Sequence, residues 1–492
     1  MKKQLYIILL IVTAGVLQVN AQSELAPCGN DNYYSPWLRS YLASGAPAAR
    51  TGEVLYIPVK IHLVADTDGT GEMGLNTLYK SFCRLNQDFE AAEIQFFIKD
   101  GINYINNSAY FNHNYDVGWD MMSANNVANA INCYIVNNAA GACGYFYPGV
   151  DGIALAKNCT QPNDHTWAHE IGHFLSLPHT FFGWSSVDDL DFSVPAPEFA
   201  GGVAVEYADG SNCQTAADGF CDTPADYLNY RWSCDNDGYS TVTQIDPTGA
   251  TFTSEGRFFM SYSNDACANQ FSGEQINAMR ANLQQLRTNL LTTSPGDVVI
   301  PLTEEVTVIS PEEGSLIDDT GTVRIEWEAI PNAEKYIVQV NPFPIFSIVF
   351  NEFIVEDTFV DFDNLKNDDT FYWRVRPYSA YYTCHGFTDA ASFNTGSNVV
   401  NTFELKEGES LHLFPNPAKD GYLWMNLTSL IATDAHWEIT DLSGRVVQKG
   451  EKNVMVGEQK ILINTQDFTD GMYVLGLQLE DQKVFRKFVI TK

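Results

Sequence analysis

The chain has 492 residues and carries 28 Lys plus Arg against 61 Asp plus Glu, a formal net charge of -33. That length accommodates two to four domains, and the acidity argues against nucleic acid or anionic lipid as a partner, since both require clustered positive charge. Apolar residues at 45% are too abundant for a disordered acidic chain, and ten cysteines are too few for a disulfide scaffold but enough to pin several loops.

Residues 1–21 read as a signal peptide. Lys2 and Lys3 form its basic start, Leu5 through Leu17 its apolar run, and Val19-Asn20-Ala21 its small-residue cleavage site. The apolar run is short for a bilayer span, and no later stretch is apolar enough to serve as one. The expected mature chain starts at Gln22, has no transmembrane segment and works in an oxidising compartment, where cysteines can pair. Residues 22–54 form a short propeptide-like segment, with Gly-Ala-Pro-Ala-Ala-Arg at 45–50 expected as a flexible, protease-accessible connector.

Regular structure begins at Tyr56. Val59, Ile61 and Leu63 alternate as in a strand, Leu75, Leu78, Tyr79, Phe82, Leu85 and Phe89 recur at helical spacing, and Ile94, Phe96 and Ile98 return to period two. This opening predicts a sheet backed by helices, with further short strands at 133–136 and 152–156. Gly183 to Gly256 reads as ordered, loop-rich chain. A helix returns at Ser272, whose hydroxyl and Gln275 make a capping box ahead of an apolar stripe from Ile276 to Leu290. Thr292 to Pro301 reads as a linker.

Strands dominate beyond it. Val323, Ile325 and Trp327 alternate, as do Tyr336, Val338 and Val340, and Tyr372-Trp373-Arg374-Val375-Arg376 closes the pattern. Residues 303–397 resemble a fibronectin type III-like sandwich, in which these aromatics are expected as core. Residues 410–492 are again strand-like. Their Phe414-Pro415-Asn416-Pro417, Asp441-Leu442-Ser443-Gly444-Arg445, Gly471 to Val474 and terminal Lys487 to Lys492 resemble the C-terminal sorting domain of the Bacteroidota type IX secretion system. That resemblance implies outer-membrane secretion machinery as a partner and a secreted or cell-surface location.

Four of the nine histidines, His165, His169, His173 and His179, fall within fifteen residues. His169 and His173 are four apart and share one helical face, so both imidazoles can reach one ion. Glu170, one position on, lies beside that ion, where it can hold and deprotonate a metal-bound water. A continuous helix would carry residue 179 about 9 Å beyond residue 173. The helix must therefore stop, and Pro178 biases Leu177 away from helical backbone. Three imidazoles and an open water position describe catalytic zinc, not a closed structural site. His165 is expected as a cap or surface residue.

His-Glu-x-x-His-x5-His followed by Thr180-Phe181 resembles the metzincin metallopeptidases, and among them the pappalysin or cytophagalysin family. Asp218-Gly219-Phe220-Cys221-Asp222-Thr223-Pro224 is similar to that family's Gly-Asp-x-x-x-Asp-Thr-Pro loop, with Ala217 where glycine is usual. Phe259-Met260-Ser261-Tyr262-Ser263, then Cys267, Phe271 and Gln275, resembles its Met-turn segment. The resemblance implies an α+β, α/β-like catalytic domain over 55–292, a twisted mostly parallel sheet with helices, followed by two all-β sandwich domains. It also implies Met260 as a hydrophobic floor beneath the histidines, and Tyr262 as a hydrogen-bond donor to the developing oxyanion. Ser176 departs from the glycine many metzincins place at the helix-ending turn, and Phe258 from a frequent asparagine. Asp218, Asp222 and the Thr223 carbonyl resemble a family calcium loop, and hard oxygen ligands suit that ion.

Cys213, Cys221, Cys234 and Cys267 surround the second half of the site and are expected to form two disulfides, pairing unassigned; Cys133 with Cys143 is a local candidate. Some metzincins are silenced by a cysteine thiolate in the open zinc position, which makes Cys28 a latency candidate; a disulfide to Cys83 or Cys159 is its alternative. The expected function is a secreted zinc-dependent endopeptidase acting on proteins or peptides through a zinc-bound water activated by Glu170. The alternatives are a surface adhesin or glycan-binding protein with a secondary or lost peptidase activity, and a zinc hydrolase of a non-peptide substrate.

Overall fold

The computed structural model describes residues 25–291, 302–396 and 405–491, apart from 31–32, 186, 188–189, 318–321, 348, 364, 367, 406–407, 420, 442–444 and 480–481. The expected signal peptide, the expected 292–301 linker and the middle of the Asp441–Arg445 motif lie outside the described residues. An N-terminal mixed α/β unit is followed by two β-rich units.

The first unit is built on strands β1 (Leu55–Ala65), β2 (Ile94–Asn106), β3 (Ile131–Val136), β4 (Gly144–Tyr147) and β5 (Gly152–Ala156), arranged β2-β1-β3-β5-β4. All neighbours are parallel except β4, which runs antiparallel to β5 and forms one edge. β1 is buried from Ile57 to Ala65 because helices and neighbouring strands cover it, which is why its sequence is nearly continuously apolar. Helices α1 (Pro36–Ala43), α2 (Leu75–Asp88), α3 (Tyr115–Asn125), α4 (Thr166–Phe174) and α5 (Gly273–Gln285) complete the unit. The expected capping box at Ser272 and Gln275 starts α5.

Residues 45–50, expected as an open connector, are hydrogen-bonded along α5. Ala49 donates to Asn277, Arg50 donates to Gln284, and the Arg50 carbonyl accepts from the buried guanidinium of Arg280. Leu38 and Tyr41 of α1 belong to the same core as the sheet. The Arg280 side chain sets this arrangement, because a buried guanidinium must give its protons to acceptors, and chain carbonyls at Arg50, Glu53, Ala92 and Glu93 receive them.

Residues 302–396 form a three-stranded and a five-stranded sheet around Trp327, Tyr336 and Trp373, so the aromatics expected as core are core. This unit is fastened to the first. Cys83 of α2 is disulfide-bonded to Cys384, Ile98 of β2 donates its amide to Ala380, and the Tyr79 and Tyr378 rings lie 4.2 Å apart. The last unit packs a three-stranded against a four-stranded sheet around Leu423, Met425, Ile439 and Phe488.

The other disulfides are Cys143–Cys159, Cys213–Cys221 and Cys234–Cys267. Two of them resolve the expected pairing after the histidine segment. The Cys133–Cys143 expectation is corrected: Cys133 lies inside β3 and accepts from the indole of Trp167, whereas Cys143 precedes β4 and meets Cys159. Cys28 pairs with neither Cys83 nor Cys159, whose partners are elsewhere. Among the described residues no helix is long and apolar enough to cross a membrane.

Candidate metal centre

α4 carries His169, Glu170 and His173, all buried, and ends at Phe174 with Leu175 as its C-cap, before Pro178. Ser176 turns the chain with φ 81°, and the Leu177 amide returns to the Gly172 carbonyl at 2.9 Å. A side chain in left-handed backbone costs roughly 1–2 kcal/mol, the penalty glycine avoids. Beyond Pro178 the chain folds back and His179 faces the other two rings.

The three Nε2 atoms lie 3.0–3.2 Å from one another. His169 Nδ1 is 2.6 Å from the Phe259 carbonyl and His173 Nδ1 is 2.8 Å from the Leu177 carbonyl, so each Nδ1 keeps the proton and each Nε2 presents a lone pair. Burial holds His169 down to about 4 and, with the neighbouring rings, keeps His173 and His179 well below the ordinary histidine value, so the imidazoles are neutral. Converging lone pairs repel one another without a cation between them. Tetrahedral bonds of 2.0–2.1 Å would set nitrogens about 3.3 Å apart, so the triad fits zinc.

Cys28 completes the cluster: one ligand atom from each of Cys28, His169, His173 and His179 lies within 4.8 Å of the rest. It is brought there by the segment 26–30, which lies against the β4 edge. Ala26 donates to Gly141, Cys143 donates to Ala26, and Gly29 donates to Gly144. The Asn30 carboxamide pairs with both main-chain groups of Phe146 at 2.7 Å. Burial pushes the Glu170 carboxyl up to about 8, and both of its oxygens are buried without a hydrogen-bond partner among the described residues.

Met260 is fully buried beneath α4; a β-carbon on Gly172 would clash with its sulfur. Its carbonyl accepts from the Thr180 amide, which ties the turn to the residue after His179. Tyr262 has its ring centroid 4.8 Å from that of His179, and its hydroxyl donates to the Cys28 carbonyl at 3.4 Å. His165 stands at the start of α4 with its ring on Asp88, outside the cluster.

The acidic loop is satisfied by protein donors. Asp218 is buried and accepts from the Thr223 hydroxyl at 2.9 Å and from the Phe220 amide. Asp222 instead accepts from the Glu274 amide at the start of α5. Ala217 has φ 44°, which explains the glycine usual at that place.

Several residues of the site were not legible from sequence. Asp226 accepts from Thr180 and Ser261, bracing the chain after His179 to the chain after Met260. Asn282 of α5 donates to Ser176. Gly144 leaves room for Glu170. None belongs to a motif, and only a short step from the Asp222-Thr223-Pro224 loop points to Asp226.

Residues 412–491 match the family described as the secretion system C-terminal sorting domain. An extracellular metalloprotease of Arthroderma benhamiae is 25% identical over 250 residues, covering 46% of this chain and 73% of the relative. One from Sordaria macrospora is 23% identical over 270 residues, covering 51% and 81%. A solved Tannerella forsythia promirolysin mutant covers 54% of this chain and 97% of its own at 18% identity and a TM-score of 0.38. The chain thus has a cluster of residues that could hold a metal ion, distant homology to extracellular metalloproteases, and a sorting domain that directs it through type IX secretion to the exterior or the cell surface.

Proposed function

We propose that this protein is a zinc-dependent endopeptidase made as a latent precursor. The convergence of three neutral imidazole Nε2 atoms beside a buried glutamate carries the reading, and the distant metalloprotease homologues support it. His169, His173 and His179 would hold the metal. Zinc bound there would supply Lewis acidity toward a scissile carbonyl and acidify the attacking water.

Glu170 accepts the proton of that water and delivers it to the leaving amine. The Tyr262 hydroxyl donates to the oxyanion of the substrate as it develops. The edge of β4, with main-chain groups at Gly141, Cys143, Gly144 and Phe146, receives an extended peptide as an added strand. Residues 26–30 use that same edge, which supports reading them as an inhibitor in the substrate's path. The Cys28 thiolate, a soft ligand, closes the position the water needs.

The test uses the mature chain carrying Cys28→Ser, incubated with a denatured protein mixture with and without a zinc chelator, cleavage sites being read by mass spectrometry. Cleavage that the chelator stops is expected. Adding Glu170→Ala should leave metal content unchanged and lower turnover by at least about 100-fold. Undiminished turnover in that variant would sink the mechanism.

A further inference from the structure

Two of the ligand histidines depend on one left-handed turn. Ser176 holds φ 81°. Leu177, next along, orients His173 by accepting from its Nδ1 at 2.8 Å, and His179 follows two residues later. The serine hydroxyl is buried and accepts a 2.8 Å hydrogen bond from Nδ2 of Asn282, a fully buried residue of α5. A bond from a packed helix to that hydroxyl is made only while the turn keeps its shape. It therefore favours the backbone that a side chain otherwise disfavours.

We propose that Asn282 is a positioning residue of the metal centre: its carboxamide holds Ser176 in the left-handed turn and thereby sets both His173 and His179. Rotation of the turn would carry the Leu177 carbonyl off His173 Nδ1 and move the start of the segment bearing His179. Asn282 thus substitutes for the conformational freedom that glycine would provide at position 176. The inference rests on the metal-site reading above.

Full chains loaded with zinc are mixed with excess chelator and the rate of metal loss is followed; cobalt-loaded chains report ligand geometry by their visible spectrum. Ser176→Ala and Ser176→Gly both remove the hydroxyl, but only glycine relieves the backbone. Ser176→Ala should release zinc about tenfold faster, the scale of a lost ligand-orienting contact, whereas Ser176→Gly should stay within about threefold of the parent. Asn282→Ala should accelerate loss about tenfold alone and less than about twofold when combined with Ser176→Gly. The cobalt spectrum should change in Ser176→Ala and keep its parental shape in Ser176→Gly.

Equal zinc loss from Ser176→Ala and Ser176→Gly would overturn the proposal, and this pair decides it even where Asn282→Ala does not fold. An Asn282→Ala effect of the same size in both backgrounds would also overturn it, since that is the behaviour of a packing residue. A parent chain that takes up neither zinc nor cobalt would overturn the metal-site reading and this inference together. Parental metal uptake with additive substitutions would remove this inference alone.

Discussion

Gly144 and Glu170 touch across the gap between β4 and α4: a β-carbon at 144 would lie 2.8 Å from Glu170 Cγ and 2.9 Å from its Oε1. Glu170 is fully buried, and its side chain must shift to admit a β-carbon at 144. Introduced into the active Cys28→Ser chain, Gly144→Ala should therefore displace the carboxylate and lower turnover by about 10- to 100-fold, the range of an impaired acid/base. Metal content should hold, because no ligand is moved. Turnover and zinc stoichiometry on the same preparation check this, and parental turnover would show that the gap is wider than the geometry implies.

The local features were legible where one element made them. Helical spacing put His169 and His173 together, Pro178 required a stop before His179, and the Ser272–Gln275 capping box needed only four residues. The departures at Ser176 and Ala217 were also informative, since both fall at positive φ. What stayed hidden depends on contacts distant in sequence. Cys28 meets the histidines only because the segment before Asn30 is hydrogen-bonded to β4. Cys133 and Cys143 are near in sequence, yet Cys133 lies inside β3 and Cys143 precedes β4, so they meet different neighbours. Asn282 and Asp226 act through single hydrogen bonds, which leave no periodic trace.

Asp222 offers a test of the calcium expectation. Its carboxylate accepts from the Glu274 amide, the position of an anion at a helix start, and Glu274 in turn accepts from the Cys221 amide. A capping role predicts that Asp222→Ala costs about 1 kcal/mol whether calcium is present or chelated. Thermal unfolding in the two buffers checks it. Destabilisation confined to the calcium buffer would place an ion at Asp218, Asp222 and Thr223, because a ligand bound only to the native state stabilises by mass action.

The sandwich at 302–396 is packed into the first unit. Ile337 and Tyr378 belong to the same buried cluster as the sheet of the first unit, and Cys83–Cys384 closes a separation of 301 residues. Replacing both cysteines by serine should lower stability by about 2–4 kcal/mol, the usual scale for such a link. Ending the chain at residue 300 should do more harm, exposing Tyr79 and leaving the Ile98 amide without the Ala380 carbonyl. Calorimetry of the double variant is the measurement, and an unchanged midpoint would mean that the remaining contacts suffice.

Latency turns on Cys28 and on how its segment is held. On the proposed reading the thiolate takes the place of the attacking water, so the uncleaved chain should be inactive. Cys28→Ser should be active before any cleavage, since a neutral hydroxyl is a far poorer zinc ligand than a thiolate. The rest of the segment adds a second requirement. Leu38 and Tyr41 are buried in the core, and the Arg50 carbonyl is held by Arg280 and Gln284. A single cut after Arg50 should therefore leave residues 26–50 docked and the enzyme silent until that peptide is degraded or displaced. Activity measured on cut chains before and after separation of the peptide distinguishes the two steps. Full activity on cutting alone would show that the segment is held by chain continuity, and a silent uncleaved Cys28→Ser chain would remove the thiol from the mechanism.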